Sequence, residues 1–270
     1  MRFTRRTLIR ASFFIVPMRD ENGGRDMYIT ITLQSDVPWE IPVNYNHLLQ
    51  AAIYRHLSPE FADFLHNQGY IVDRRRFTLF SFSRLMGPHD YIPASKMLVF
   101  QNKVQLILSS PIERFIREIT QVLLMEGIRI GSHCLRVTSI QTEIFKVDRS
   151  VIEIETLSPV VAYSTLLRPD GRKYTKYFYP GEKDFQRIIS DNLVRKAKLI
   201  YGANLAFAPV SINSIGDFRK QIVLYKNTII EAYNGRFILE GDSRLLQAAV
   251  DAGLGGKNSC GFGCIRPISR

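Results

Sequence analysis

Lys103-Val-Gln-Leu-Ile-Leu-Ser-Ser-Pro-Ile-Glu-Arg-Phe-Ile-Arg-Glu-Ile-Thr-Gln-Val-Leu-Leu-Met-Glu-Gly127 changes its hydrophobic period within a few residues. Lys103 to Leu108 is rich in β-formers and reads as a strand. From Pro111 to Glu126 the apolar residues Ile112, Phe115, Ile116, Ile119 and Leu123 recur at three- and four-residue steps, the spacing of one helix face, and Gly127 closes that helix. Working upstream, Tyr28 to Leu33 alternates β-formers with polar residues, as a half-buried strand does. A helix is expected from about Asn44, with Tyr45, Leu48, Leu49, Ala52, Ile53 and His56 on its apolar side. Ser58-Pro59 starts a short helix that Gly69 ends, with serine as N-cap. Phe77 to Phe82 reads as a strand and Met86-Gly-Pro-His-Asp90 as a turn. Downstream, His133 to Phe145 completes the order β, α, ββ, α, β, which is the ferredoxin-like pattern.

The second half repeats that order more loosely. Val151 to Glu155 and Tyr174 to Phe178 read as strands. Glu182 to Tyr201 is a helix with Phe185, Ile188, Ile189, Leu193, Ala197 and Ile200 inward. Ile222 to Tyr225 and Arg236 to Glu240 are further strands, Asp242 caps a helix running to Ala252, and Gly261 to Ile265 is the last strand. The fold class expected is α+β, two tandem ferredoxin-like domains of the kind found in RNA-recognition modules. They divide near Lys146 to Arg149, giving residues 27–147 and 148–270. Residues 1–26 imitate a signal peptide, but the apolar stretch Ala11 to Pro17 is short and no small-residue cleavage site follows. They are expected to be a disordered or mis-started extension.

The chain has 36 Lys+Arg against 25 Asp+Glu, a formal net charge of +11 that favours a polyanionic partner. Three cysteines in 270 residues fit a reducing, cytoplasmic compartment. No run of about 18 apolar residues exists to span a membrane. Cys260, Cys264 and His133 lack a CxxC pair and read as structural rather than metal-ligating, and no HxH, DxD or HExxH spacing stands out. Neither metal nor cofactor is expected.

Gly253-Leu-Gly-Gly-Lys-Asn-Ser-Cys-Gly-Phe-Gly263 is the densest glycine cluster in the chain. Glycines let backbone N–H groups approach an anion, and Lys257, Asn258 and Ser259 add phosphate-capable side chains. It is not a P-loop, because Asp251 stands at the first glycine position and Asn258 follows Lys257. Nor is it a dinucleotide fingerprint, since it lies between a helix and a strand rather than the reverse.

The loop residues Gly253, Gly255, Lys257, Asn258, Ser259, Gly261, Phe262 and Gly263 resemble the C-terminal signature of the CRISPR-associated RNA-processing endoribonucleases, the Cas-six family of the RAMP superfamily. Pro42-Val-Asn-Tyr-Asn-His47, Ala52-Ile-Tyr54, Phe64-Leu-His66, Thr156-Leu-Ser-Pro159 and Tyr201-Gly202 add to the likeness. The resemblance implies metal-independent cleavage within CRISPR repeats, with the family's active-site tyrosine and histidine falling on Tyr54 and His66. The third, basic member, usually lysine, has no lysine counterpart. Arg76 is the nearest candidate, with Arg74 and Arg75 as alternates. The partners implied are CRISPR repeat RNA, other CRISPR-associated effector subunits and a second copy of the chain. A non-catalytic RAMP subunit that binds guide RNA is the alternative.

Metal-free RNA cutting uses the substrate 2′-OH as nucleophile and needs an acid, a base and a cation. Imidazole suits the first two roles, and His66 stands at a helix end. Tyr54 is expected to point away from the core, on the same face as His47, a second acid/base candidate; His56 falls on the apolar side. Arginine grips phosphate through two donors at once. Lys173 and Lys176 are expected to contact RNA together with Gly255, Gly256, Lys257, Asn258, Ser259 and Gly261. Arg172, Arg195, Lys196 and Lys198 read as further basic surface.

Overall fold

A computed structural model describes residues 27–203 and 205–268. The expectation for residues 1–26 lies outside them.

The N-terminal unit is a five-stranded antiparallel sheet in the order Ser81–Phe82, Lys103–Ser110, Met27–Gln34, His133–Glu143, Ile128–Ile130. Its first four strands, numbered along the chain, stand 2-3-1-4, the ferredoxin-like order. Register follows the alternating pattern: Ile29 faces Leu108, Ile31 faces Leu106 and Leu33 faces Val104, all buried. Against this face lie α1 (Asn46–Arg55) and, after α2 (Pro59–Asp63), α3 (Glu113–Glu126). Phe115, Ile116, Ile119 and Leu123 of α3 are buried, each contributing roughly 1.5–3 kcal/mol. Gly127 ends α3 at φ +70°.

The C-terminal unit repeats the plan with Ser211–Tyr225, Thr228–Glu240, Val151–Thr156 and Ile265–Pro267 in that order. It is covered by α4 (Lys183–Tyr201) and α5 (Ser243–Ala252). Asp242 caps α5 as expected, its side chain accepting from the Arg244 N–H at 2.9 Å. Buried side chains of both units form one contiguous core, and Leu157 and Ser158 N–H groups donate to the Cys264 carbonyl near the junction.

Several local expectations change. Phe77 to Phe82 is not one strand: Arg75–Phe77 pairs with Tyr70–Val72, Leu79 takes φ +54°, and only Ser81–Phe82 joins the sheet. His89 and Asp90 belong to a strand, His89–Ile92, in a small sheet with Met97–Phe100 and Trp39–Pro42. Trp39 stacks on Phe100 at 5.1 Å there. Ala162–Leu167 pairs with Lys173–Phe178 as a separate hairpin. The two short segments at 222–225 and 236–240 are the ends of one long hairpin. Gly261 to Cys264 is not strand, because a 3-10 turn, Asn258–Cys260, runs into it. Ser58 begins α2 but does not cap it; its N–H and hydroxyl donate to Glu118 instead.

Candidate active site

Tyr54 lies in the last turn of α1. Contrary to expectation it does not point clear of the core: it is half-buried, with its ring 5.9 Å from that of Phe80. The phenol is pushed up to about 12, first by desolvation, then by the neighbouring Cys260 thiol, with Arg76 opposing. At neutral pH it is therefore an O–H donor.

The chain after α2 continues into a π-helical turn, Phe64–Gln68, a geometry frequent at functional sites. Gly69 closes it, its N–H donating to the Phe64 carbonyl at 2.6 Å. The turn exposes His66 on the Tyr54 side, the two rings meeting edge to face with centroids 6.3 Å apart. His66 Nδ1 lies 2.8 Å from Asn67 Oδ1, and Asn67 donates to Asp63.

Arg76 joins them from the hairpin after Gly69. Asp73 and Arg74, both at positive φ, form its two-residue turn, a geometry matching strand twist. Arg76 Nη1 then donates to the carbonyls of His66 at 3.2 Å and Asn67 at 2.9 Å. Gly69, at φ +61°, makes this crossing possible, since a Cβ there would stand 2.8 Å from Arg76 Cγ. Arg74 sits in the turn and Arg75 lines the cleft beside it. His47 belongs elsewhere: it lies two helical turns from Tyr54, roughly 10 Å along the axis, with Nδ1 at the Asn44 carbonyl. His56 is a satisfied core histidine, its two ring nitrogens against the Ala52 and Gly127 carbonyls.

A cleft of about 470 Å³ separates the Arg75–Leu79 segment from the C-terminal unit. Arg75, Arg76, Arg187, Arg195 and Lys257 line it beside Asp191. Lys257 covers the Tyr163 ring at 4.8 Å, and Gly256, Asn258 and Ser259 also reach the cleft. Lys173 and Lys176 are exposed on the separate hairpin, where Lys176 lies over the Phe178 ring at 4.7 Å.

The glycine loop is packed more tightly than a phosphate cradle needs to be. Gly255 and Gly261 are buried. The N–H groups of Gly256, Gly261 and Gly263 donate to the carbonyls of Val161, Asn258 and Pro159. A Cβ on Gly263 would fall 1.9 Å from the Leu254 carbonyl oxygen. On one side the loop is held by α1: Asn46 donates to the Cys260 and Gly261 carbonyls, and Gln50 to that of Ser259. Tyr225 reaches over from the long hairpin to donate to Gln50.

On its other side stands Lys196, which is not basic surface. It is 1% exposed, and burial pulls its ammonium down to about 7. Sequence reasoning missed the roles of Asn46 and Gln50 and assigned Lys196 to the surface. For Lys196 a signal existed, because it falls three residues after Leu193 and four before Ile200, on the apolar face of α4.

Among the described residues no group of three or more His, Cys, Asp or Glu side chains gathers around one point that could hold an ion. No helix there is long and apolar enough to cross a membrane.

Residues 40–141 match the family model for the CRISPR-associated protein Cas6 N-terminal region, and residues 141–267 match that for the Cas6 C-terminal region. This chain belongs to the Cas6 family. It is 28% identical over 248 residues to the CRISPR-associated endoribonuclease Cas6 1 of Methanocaldococcus jannaschii, covering 88% of this chain and 92% of the relative. A solved structure described as a CRISPR associated protein Cas6 superposes with a TM-score of 0.73 at 25% identity, over 90% of this chain and all of that one. A second, described as a RAMP protein binding different RNA substrates, gives 0.75 at 21% identity over 90% of this chain and 100% of its own. The ferredoxin-like pair read from the sequence is thus the fold of the Cas6 relatives.

Proposed function

We propose that this Cas6 protein is an endoribonuclease that cuts CRISPR precursor RNA within its repeats, without a metal ion. The observation that carries the reading is the convergence of Tyr54, His66 and Arg76 at the edge of a basic cleft between the two units. Family membership and the named activity of the M. jannaschii relative support it.

RNA held by Lys257, Ser259 and the cleft arginines would present a phosphate to Tyr54 and His66. The substrate 2′-oxygen attacks phosphorus as the bond to the 5′-oxygen breaks. One proton leaves the 2′-OH and one reaches the 5′-oxygen, giving a 2′,3′-cyclic phosphate and a 5′-OH. His66, exposed beside the phosphate, moves a proton. Tyr54 is protonated at neutral pH and donates a hydrogen bond to the phosphorane. Arg76 supplies positive charge where negative charge builds on the phosphorane. These three side chains provide acid–base and electrostatic functions from the chain itself. The exposed Lys173 and Lys176 extend the grip on RNA, and the cytoplasm, where the transcript lies, is the site of action.

The test is incubation of the purified chain with repeat RNA in EDTA, followed by end-group analysis. Cutting to a cyclic phosphate is expected, and a 2′-deoxy substitution at the cut position should leave binding but abolish cleavage. Binding with no cleavage of the unmodified RNA would instead favour a guide-RNA-binding subunit. Sizing the RNA-bound protein shows whether a second copy or another subunit joins it.

A further inference from the structure

The geometry points to Lys196 as a positioning residue for cleavage: it locks the glycine-rich loop as a brace between the two units and thereby fixes α1, the helix carrying Tyr54. This rests on the endoribonuclease reading and adds to it a residue that touches neither RNA nor the reacting atoms.

Lys196 Nζ lies 2.6 Å from the Gly253 carbonyl, 2.7 Å from Asn258 Oδ1, 3.2 Å from the Gly255 carbonyl and 3.3 Å from that of Ala252. Ala252 and Gly253 end α5, where helix carbonyls lack intrahelical partners. Capping those two alone would be an ordinary lysine role. Gly255 and Asn258 go beyond it, because they gather the loop's backbone around one buried amine.

Asn258 carries the order onward. With its oxygen turned to Lys196, its amide nitrogen donates to the Leu254 and Phe262 carbonyls at 3.2 and 3.0 Å. Gly253 and Gly263 leave the room it needs, since a Cβ on either would stand 2.7 Å from that nitrogen. The loop so folded turns the carbonyls of Ser259, Cys260 and Gly261 toward α1, where Gln50 and Asn46 take them. Asn46, Gln50 and Tyr54 are spaced by four residues and form one stripe along α1. The linkage runs from α4 through the loop to the helix of the proposed site.

A buried amine is expensive without partners, and an apolar side chain would fill the space between Leu193 and Ile200 at no such cost. The four oxygens explain why a lysine is there. Direct RNA contact does not: Lys196 stands in the wall of the cleft, but it is 1% exposed and its amine is turned to those four protein oxygens.

Cys260 reports on the brace independently of RNA. It is half-buried in the loop, its Sγ 3.7 Å from Gln50 Nε2, while Cys264 is buried and Cys134 exposed. In a Cys134→Ser background of the full chain, Lys196→Met and Asn258→Ala are compared with the parent by three measurements: single-turnover cleavage at saturating repeat RNA, RNA Kd, and the rate of thiol labelling by a chromogenic disulfide reagent. The expectation for both variants is a cleavage rate at saturating RNA lower by about tenfold or more and faster Cys260 labelling, with Kd changed less than about threefold in Lys196→Met; Asn258 itself reaches the cleft, so its variant is judged by rate and labelling alone. A merely stabilising lysine would lower the melting temperature while rate and labelling of the folded protein stayed at parental values, and that result overturns the assignment. If Lys196→Met does not fold, Asn258→Ala decides by rate and labelling. If the parent does not cut RNA the endoribonuclease reading fails, whereas unchanged labelling in a variant removes the brace alone.

Discussion

The His66 ring stands edge-on to the Tyr54 ring, planes at 86° and centroids 6.3 Å apart, although one belongs to a π turn and the other to an α-helix twelve residues earlier. Arg76 holds His66 by its backbone, not its side chain. Replacement of His66 by alanine should therefore slow single-turnover cleavage by about 10²-fold or more while RNA binding changes only a few-fold. Arg76→Lys should keep more activity than Arg76→Ala, because both carbonyls accept from the single Nη1 and a lysine ammonium also carries several donors and a positive charge. His47→Ala should cut at the parental rate. A His47 variant as slow as the His66 variant would place the chemistry at the other end of α1.

Tyr54 gives a pH dependence of definite sign. Its phenol titrates at about 12 in the fold against 10.0 ordinarily. The folded protein thus keeps a proton that the unfolded chain loses, so this residue's stabilisation is present below pH 10 and is lost as pH rises toward 12. At pH 7 only about one phenol in 10⁵ is ionised. Ultraviolet difference titration of the parent against Tyr54→Phe should show no phenolate from this residue below pH 10. A phenolate near neutrality would restore tyrosine as a candidate base.

Glycine substitutions separate conformation from crowding. Gly171 has φ +79° and open space around it, so Gly171→Ala should cost about 1–2 kcal/mol. Gly263 has φ +68° and a carbonyl oxygen 1.9 Å from the added Cβ. Gly263→Ala should cost about 4 kcal/mol or more, or yield no folded protein. Urea unfolding of the pair is the measurement; equal losses would deny the loop its packing role.

If Lys173 and Lys176 contact phosphates, each alanine replacement should weaken binding of single-stranded repeat RNA and reduce the slope of log affinity against log salt by about 0.7. Binding titrations at several salt concentrations read this directly. An unchanged slope would leave the two lysines as solvated charge.

The fold was legible wherever hydrophobic period was strong. Phe115 to Leu123 and Phe185 to Ile200 announce their helices, and their order among strands gives the ferredoxin-like plan. Legibility failed where partners are remote in sequence. Ala162–Leu167 becomes a strand because Lys173–Phe178 lies beside it, and Ser58 forgoes capping because Glu118 is within reach. At the candidate site, Tyr54, His66 and Arg76 were named through family resemblance, and their mutual placement depends on the π turn and the left-handed Gly69. Lys196 was misread because a charged residue was assigned to solvent by type, against the helical spacing that put it inside.

The π turn at Phe64–Gln68 has a consequence for how such a site changes. It wraps one more residue into a turn than an α-helix holds, so loss of a single residue there would let α2 run on regularly and rotate the chain beyond it by about 100°. His66 and the hairpin bearing Arg76 would then no longer meet across Gly69. In this architecture an insertion or deletion of one codon is a larger functional step than most substitutions, and length variation in this short segment is where divergent cutting geometries should arise.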